Sequence, residues 1–189
     1  MLLDASPTTD ALAVTEPPSP QDEITAEMRA LMSYDPETGV ITFNHGGAPG
    51  YVVRQFIRTM AKQLNAIPAA LQGLPVEQIA VDGMLSRAMF IPKGMLLIGK
   101  IHKLDCINIV AKGDISILTE HGSGRMVAGE QIVSPAGSQK MGFANEDTVF
   151  INVFRTNEHR LEHIEDTIAW PSFEEFDLAQ QRVATLKEE

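Results

Sequence analysis

Between residues 84 and 156 short apolar runs alternate with Gly, Pro, Asp and Asn, the pattern of half-buried strands separated by turns. The runs predict strands near 88–91, 94–98, 106–111, 114–119, 125–128, 131–134, 138–143 and 148–154. Regular spacing without intervening helices predicts an antiparallel barrel or jelly roll. On both sides of this block the apolar period lengthens to that of a helix.

Upstream, Ser19 as N-cap, Pro20 at the first helical position and Asp22 and Glu23 in the first turn predict a helix start. Ile24, Met28, Leu31 and Met32 would share one face of it. Asp35-Pro36 and Gly39 predict a turn into a strand at Val40-Ile41-Thr42-Phe43. Residues 51–65 predict a helix, with Val52, Phe56, Met60 and Leu64 on one stripe and Pro68 ending it. A weakly helical stretch is expected around 75–81. Downstream, Leu161, Ile164 and Ile168 form an apolar stripe, Trp170-Pro171 breaks it, and Ser172 caps a last helix reaching about Lys187.

Residues 1–20 have no such period. Pro7, Pro17, Pro18 and Pro20 sit among small polar residues, so the segment cannot bury a face of its own. It is expected to be an extended arm that binds other protein chains. The predicted organisation is therefore an arm at 1–20, a helical and hairpin region at 21–83, a β-barrel at 84–156 and a helical extension at 157–189.

Composition narrows the partners. With 44% hydrophobic and 21% charged residues, a packed core is expected over the 189 residues. Fifteen Lys+Arg against 25 Asp+Glu give a net charge of −10, which opposes binding to nucleic-acid phosphates or anionic lipid. No apolar run approaches the ~18–20 residues of a membrane helix, and the first residues lack the basic and apolar regions of a secretion signal. A single cysteine, Cys106, excludes an intrachain disulfide and a thiolate-rich zinc site.

Two stretches carry a family pattern. The first is Gly94-Met95-Leu96-Leu97-Ile98-Gly99-Lys100-Ile101-His102-Lys103-Leu104-Asp105-Cys106, running on to Gly113. The second is Gly129 through Pro135-Ala136-Gly137 to Lys140. Together they resemble the two signatures of the cupin superfamily, most closely those of small phage-encoded cupin-like proteins with their Gly-Lys-Ile-His and Ser-Pro-x-Gly segments. The resemblance implies a cupin-type antiparallel jelly roll, mainly β, with flanking α-helices. It also sets His102 at the second His of the first signature, Lys100 at the first His, Cys106 at the Glu and Lys140 at the His of the second. Asn145 falls one residue late for the Asn that follows.

A metallocupin needs converging imidazoles and a carboxylate. His102 and Cys106 are the only candidate metal ligands at those positions, so no metal and no cofactor are expected. His159 and His163 share a predicted helix face with Glu162, but acidic neighbours make it a solvated face. If the interior is catalytic, the candidates are His102, Lys100 and Lys140, acting without metal as base or anion clamp. Tyr34 and Tyr51 lie outside the predicted barrel. Gly46-Gly47-Ala48-Pro49-Gly50 reads as a plain loop, and no phosphate-binding loop, nucleophile elbow or redox cysteine pair occurs.

Two function classes follow. The first is a non-catalytic structural or interaction protein, which the resemblance places in a bacteriophage virion as a cement, connector or decoration component, in the particle or the host cytoplasm. The second is a metal-independent enzyme or small-ligand-binding cupin. Met84, Met89, Phe90, Ile91 and Phe150 exceed what one small barrel interior can hold, so a homo-oligomer, dimer or trimer, is expected.

Overall fold

Why the barrel closes is visible in its strand order. In a computed structural model describing residues 23–65, 74–158 and 161–187, the strands are β1 (Met32–Tyr34), β2 (Ile41–Phe43), β3 (Val76–Val81), β4 (Met84–Ile91), β5 (Leu96–Ile98), β6 (Cys106–Lys112), β7 (Asp114–Thr119), β8 (Gly122–Val127), β9 (Gln131–Ser134), β10 (Met141–Ala144) and β11 (Thr148–Arg155). The helices are α1 (Ala26–Arg29), α2 (Gly50–Asn65), α3 (Leu161–Ile168) and α4 (Phe173–Lys187). One sheet has the order β5-β10-β7-β8, the other β3-β4-β11-β6-β9. Leaving out β3, these are the two interleaved antiparallel sheets of a jelly roll.

Turn chemistry sets the register. Gly113 joins β6 to β7 at φ 86°, and a Cβ there would collide with the Asp147 carbonyl oxygen, so only glycine fits. The expected strands are all present in the barrel, but β4 begins at Met84 rather than Ala88. Its inward residues Leu85, Arg87, Met89 and Ile91 include a charge, which interrupts the apolar run read from sequence.

Residues 76–81, expected to be weakly helical, are strand β3. Asp82 and Gly83 both take positive φ, 45° and 78°, the backbone of a tight hairpin that pairs Val81 with Met84. The Asp-Gly dipeptide outweighs the helical spacing. The first helix also differs. Thr25, not Ser19, caps it, accepting a hydrogen bond from Met28 N at 3.2 Å, while Met32 belongs to β1. Ser19, Pro20 and Pro68 lie outside the described residues, as does the arm 1–20.

Three packed layers result. Inside the barrel, Ile91, Val110, Ile115, Ile117 and Phe150 meet. On the outside of the four-stranded sheet, Val52, Val53, Phe56 and Ile57 of α2, with Met28, Leu31 and Phe43, cover Leu118, Met141 and Phe143. At one end of the barrel, Ile164 and Ile168 of α3 pack on Leu85, Cys106 and Phe154. Backbone bonds from Lys103 N to Ile168 O (2.8 Å) and from Trp170 N to Ile101 O (2.9 Å) stitch α3 down. Ser172 caps α4 as expected, its hydroxyl accepting from Glu175 N at 3.2 Å. Helix α4 then docks on α2 through Phe176 and the Arg58–Asp177 ion pair, 2.6 Å.

Among the described residues the outer face of the five-stranded sheet receives no such cover. Ile79, Val81, Met84, Phe90, Ile107 and Val133 all point outward, with Ile79 66% and Val133 70% exposed. Met89, Ile91 and Phe150, grouped with these on sequence, face the interior instead.

Candidate functional site

The plugged end of the barrel gathers the polar interior residues. Strand β6 alternates, so Cys106 and Asn108 point inward with Val110. Register places Ser134 of β9 opposite Cys106 and Asn152 of β11 opposite Asn108. His102 reaches the same place from the β5–β6 connection, held by its bridge to Ala169 and by the Gly137 N–H donating to its carbonyl at 2.8 Å.

His102 is 9% exposed and stands edge-on to Phe154, ring centroids 5.0 Å apart. Its Nδ1 lies 3.2 Å from Cys106 Sγ and 3.5 Å from Lys140 Nζ. Burial first, then the positive charges of Lys140 and Arg87, push its pKa down to about 3. The ring is therefore neutral over the ordinary pH range. Cys106 is 3% exposed, and burial pushes its thiol up, so the sulfur stays protonated. Lys140 Nζ donates to Ser134 Oγ at 3.0 Å, and the same oxygen accepts from Asn108 Nδ2 at 2.8 Å. Burial lowers the Lys140 pKa, with Cys106 and Glu120 acting weakly the other way.

These groups border a cavity of about 50 Å³. His102, Lys140 and Asn152 line it, and the rest of its wall is apolar or glycine; no Asp or Glu lines it. Asn152 is 5% exposed, and its Oδ1 is buried without a hydrogen-bond partner.

The structure brings His102, Cys106 and Lys140 together but not Lys100. Lys100 is 56% exposed and its Nζ lies 3.0 Å from Glu165 Oε1 on α3. Leu97 and Gly99 face the cavity while Leu96 and Ile98 pack on the outer side, so Lys100 has the outward parity of Leu96 and Ile98. Lys100 thus ties the α3 plug from outside. Asp105 faces away and accepts from Ala136 N at 2.7 Å.

For a metal, the pair His102 and Cys106 offers a neutral imidazole and a thiol beside an amine, with no carboxylate in the cavity wall. No group of three or more His, Cys, Asp or Glu side chains suited to a metal occurs among the described residues. His163 is exposed on α3, while His159 lies outside the described residues. Sequence reading missed Asn108, Ser134 and Asn152. Each stands at an inward position of its strand, and parity counted from Cys106 and Phe150 would have found the first and last.

No family model matches the chain, and no curated protein does. Among solved structures it is similar to KdgF from Halomonas sp., at 19% identity and a TM-score of 0.41 over 46% of this chain and 82% of that one. A cupin-2 domain protein from Shewanella frigidimarina gives 16% identity and 0.38 over 51% and 91%. A cupin-superfamily sugar phosphate isomerase from Silicibacter pomeroyi gives 20% and 0.39 over 47% and 63%. These likenesses are distant. What defines the barrel is its strand order, with the Gly113 and Pro135-Ala136-Gly137 turns of the two signatures at the β6–β7 and β9–β10 connections. The fold is a cupin-type jelly roll. Among the described residues no helix is long and apolar enough to cross a membrane.

Proposed function

We propose that this protein is a non-catalytic cupin-fold interaction module that pairs with a second copy of itself across the outer face of the five-stranded sheet. The bare apolar face carries the reading. Rows of paired residues cross it, such as Ile79, Ser86, Val153, Ile107 and Val133 on successive strands. Its charged members, Glu77, Lys112 and Arg155, stand at the rim, on the edge strand and at strand ends.

The size fits a dimer. Five strands about 4.8 Å apart, each some six residues long at about 3.3 Å per residue, give a footprint on the order of 500 Å². A two-fold partner doubles that to about 1,000 Å² buried, where specific interfaces begin. A patch of this extent on a monomer is in the range that marks interaction sites. Within this class we read the chain as a virion-associated component of a bacteriophage, on the sequence resemblance given above, with the arm 1–20 reaching other chains.

Sedimentation of the full chain at micromolar concentration tests the pairing. The expected species has twice the 20.7 kDa chain mass, reverting to monomer in the double variant Ile79→Glu, Ile107→Glu. A wild-type monomer would overturn it. Recovery of the chain with intact phage particles tests the narrower assignment.

A further inference from the structure

The cavity beside Lys140 has a chemistry that self-association does not use. An ammonium has three donors, and two acceptors lie near Lys140 Nζ: Ser134 Oγ at 3.0 Å and His102 Nδ1 at 3.5 Å. No acidic side chain lines the cavity to neutralise it. A half-buried cation facing a wall with no acidic side chain favours an anionic ligand there. A further polar group on the wall, Asn152, is 5% exposed and leaves Oδ1 without a donor. Most of the remaining wall, including Met89, Ile91, Leu97, Ile115 and Phe150, is hydrocarbon.

We propose that this cavity binds a short aliphatic hydroxycarboxylate, its carboxylate accepting from Lys140 Nζ, its hydroxyl donating to Asn152 Oδ1 and its chain against the apolar wall. Size sets the chain length. A cavity of about 50 Å³ holds roughly four waters, on the order of 120 Å³ of liquid, the bulk of an acid of about four carbons. Phosphate and sulfate fit poorly, since several bare oxygens would meet one lysine and a hydrocarbon wall with no Arg fork. A metal is not needed by this ligand. The site is separate from the bare sheet face, which lies on the opposite side of the β4, β11 and β6 backbones.

Calorimetry on the full chain decides the matter, with 3-hydroxybutyrate, butyrate, 1-butanol, butylamine and inorganic phosphate as probes. Both carboxylates should bind, 3-hydroxybutyrate about two- to ten-fold more tightly, as one added neutral hydrogen bond gives. Butanol, butylamine and phosphate should give no saturable heat. Lys140→Met should weaken carboxylate binding at least about ten-fold, as loss of a charge-assisted bond does. Asn152→Leu should keep butyrate binding and erase the preference for the hydroxyl. Butanol binding as well as butyrate, carboxylate binding that survives Lys140→Met, or no heat from either acid at millimolar concentration would each overturn the proposal. Should Lys140→Met fail to fold, the probe series on the wild type and on Asn152→Leu still decides.

Discussion

The two sheets of this barrel are built from the same kind of residue but finished differently. In the middle of the four-stranded sheet both faces are covered: β10, Met141-Gly142-Phe143-Ala144, is buried at every position. Its inner side meets the barrel core and its outer side meets α2 and the β1–β2 hairpin. In the five-stranded sheet, β11 alternates strictly between buried and half-exposed positions, yet the outward residues Val149, Ile151 and Val153 are as apolar as the inward ones. A covered sheet needs continuous apolar strands; a sheet facing water normally carries polar residues on that side. The five-stranded sheet has the composition of the first and the environment of the second. The described residues supply the N-terminal cover for one sheet and none for the other, the face on which the proposed pairing rests.

The sharpest way to break this contrast is to remove a residue from the covered side. Phe56→Ala should cost about 3–5 kcal/mol, the loss of a fully buried aromatic, read as a lower denaturant midpoint in the monomer and dimer alike. On the bare side, the Ile79→Glu, Ile107→Glu pair should shift the dimer to monomer while changing monomer stability by no more than about 0.5 kcal/mol per site, as exposed substitutions do. A loss like that of Phe56→Ala would mean that the face is covered within the chain. Because each copy carries a charge of −10, added salt should tighten the pairing by screening repulsion between the copies.

The plugged end supplies a pH test. His102 has a folded pKa of about 3 against 6.5 ordinarily, so the unfolded chain takes up its proton first as pH falls. Stability is therefore full above about 6.5 and is lost progressively towards pH 3. His102→Gln should flatten the difference in unfolding free energy across that window. An unchanged slope would show that the imidazole is solvated. Smallest of all should be deletion of residues 2–16. The melting temperature of the isolated protomer is expected to stay the same, and a drop of several degrees would assign the arm to its own domain's core.

The barrel strands and their turns were legible because period-two alternation and Gly, Pro and Asp punctuation act locally. Strand β3 was hidden because Val76-Glu77-Gln78-Ile79-Ala80-Val81 contains good helix formers, and only pairing with β4 decides its state. Lys100 misled for a related reason. Motif spacing counts residues, whereas side-chain direction follows the strand, and Lys100 shares the outward parity of Leu96 and Ile98. The meeting of Lys140 with His102 was legible through the two signatures, whereas Ser134, six residues before Lys140, has no such mark. That the outer sheet face stays bare could not be read either, since nothing in a strand's own sequence says whether a later helix will lie on it.

The α3 plug also makes its own docking readable. Every barrel strand precedes Ile164 and Ile168 in the chain, so a barrel on which α3 has not docked has its end unsealed. Without that cover Cys106 would lose the packing of Ile164 and Ile168, and its thiol would be open to an alkylating reagent. Only when the last part of the chain docks does Cys106 fall to 3% exposure. The single cysteine thus records, in its reactivity, whether a given molecule has been finished.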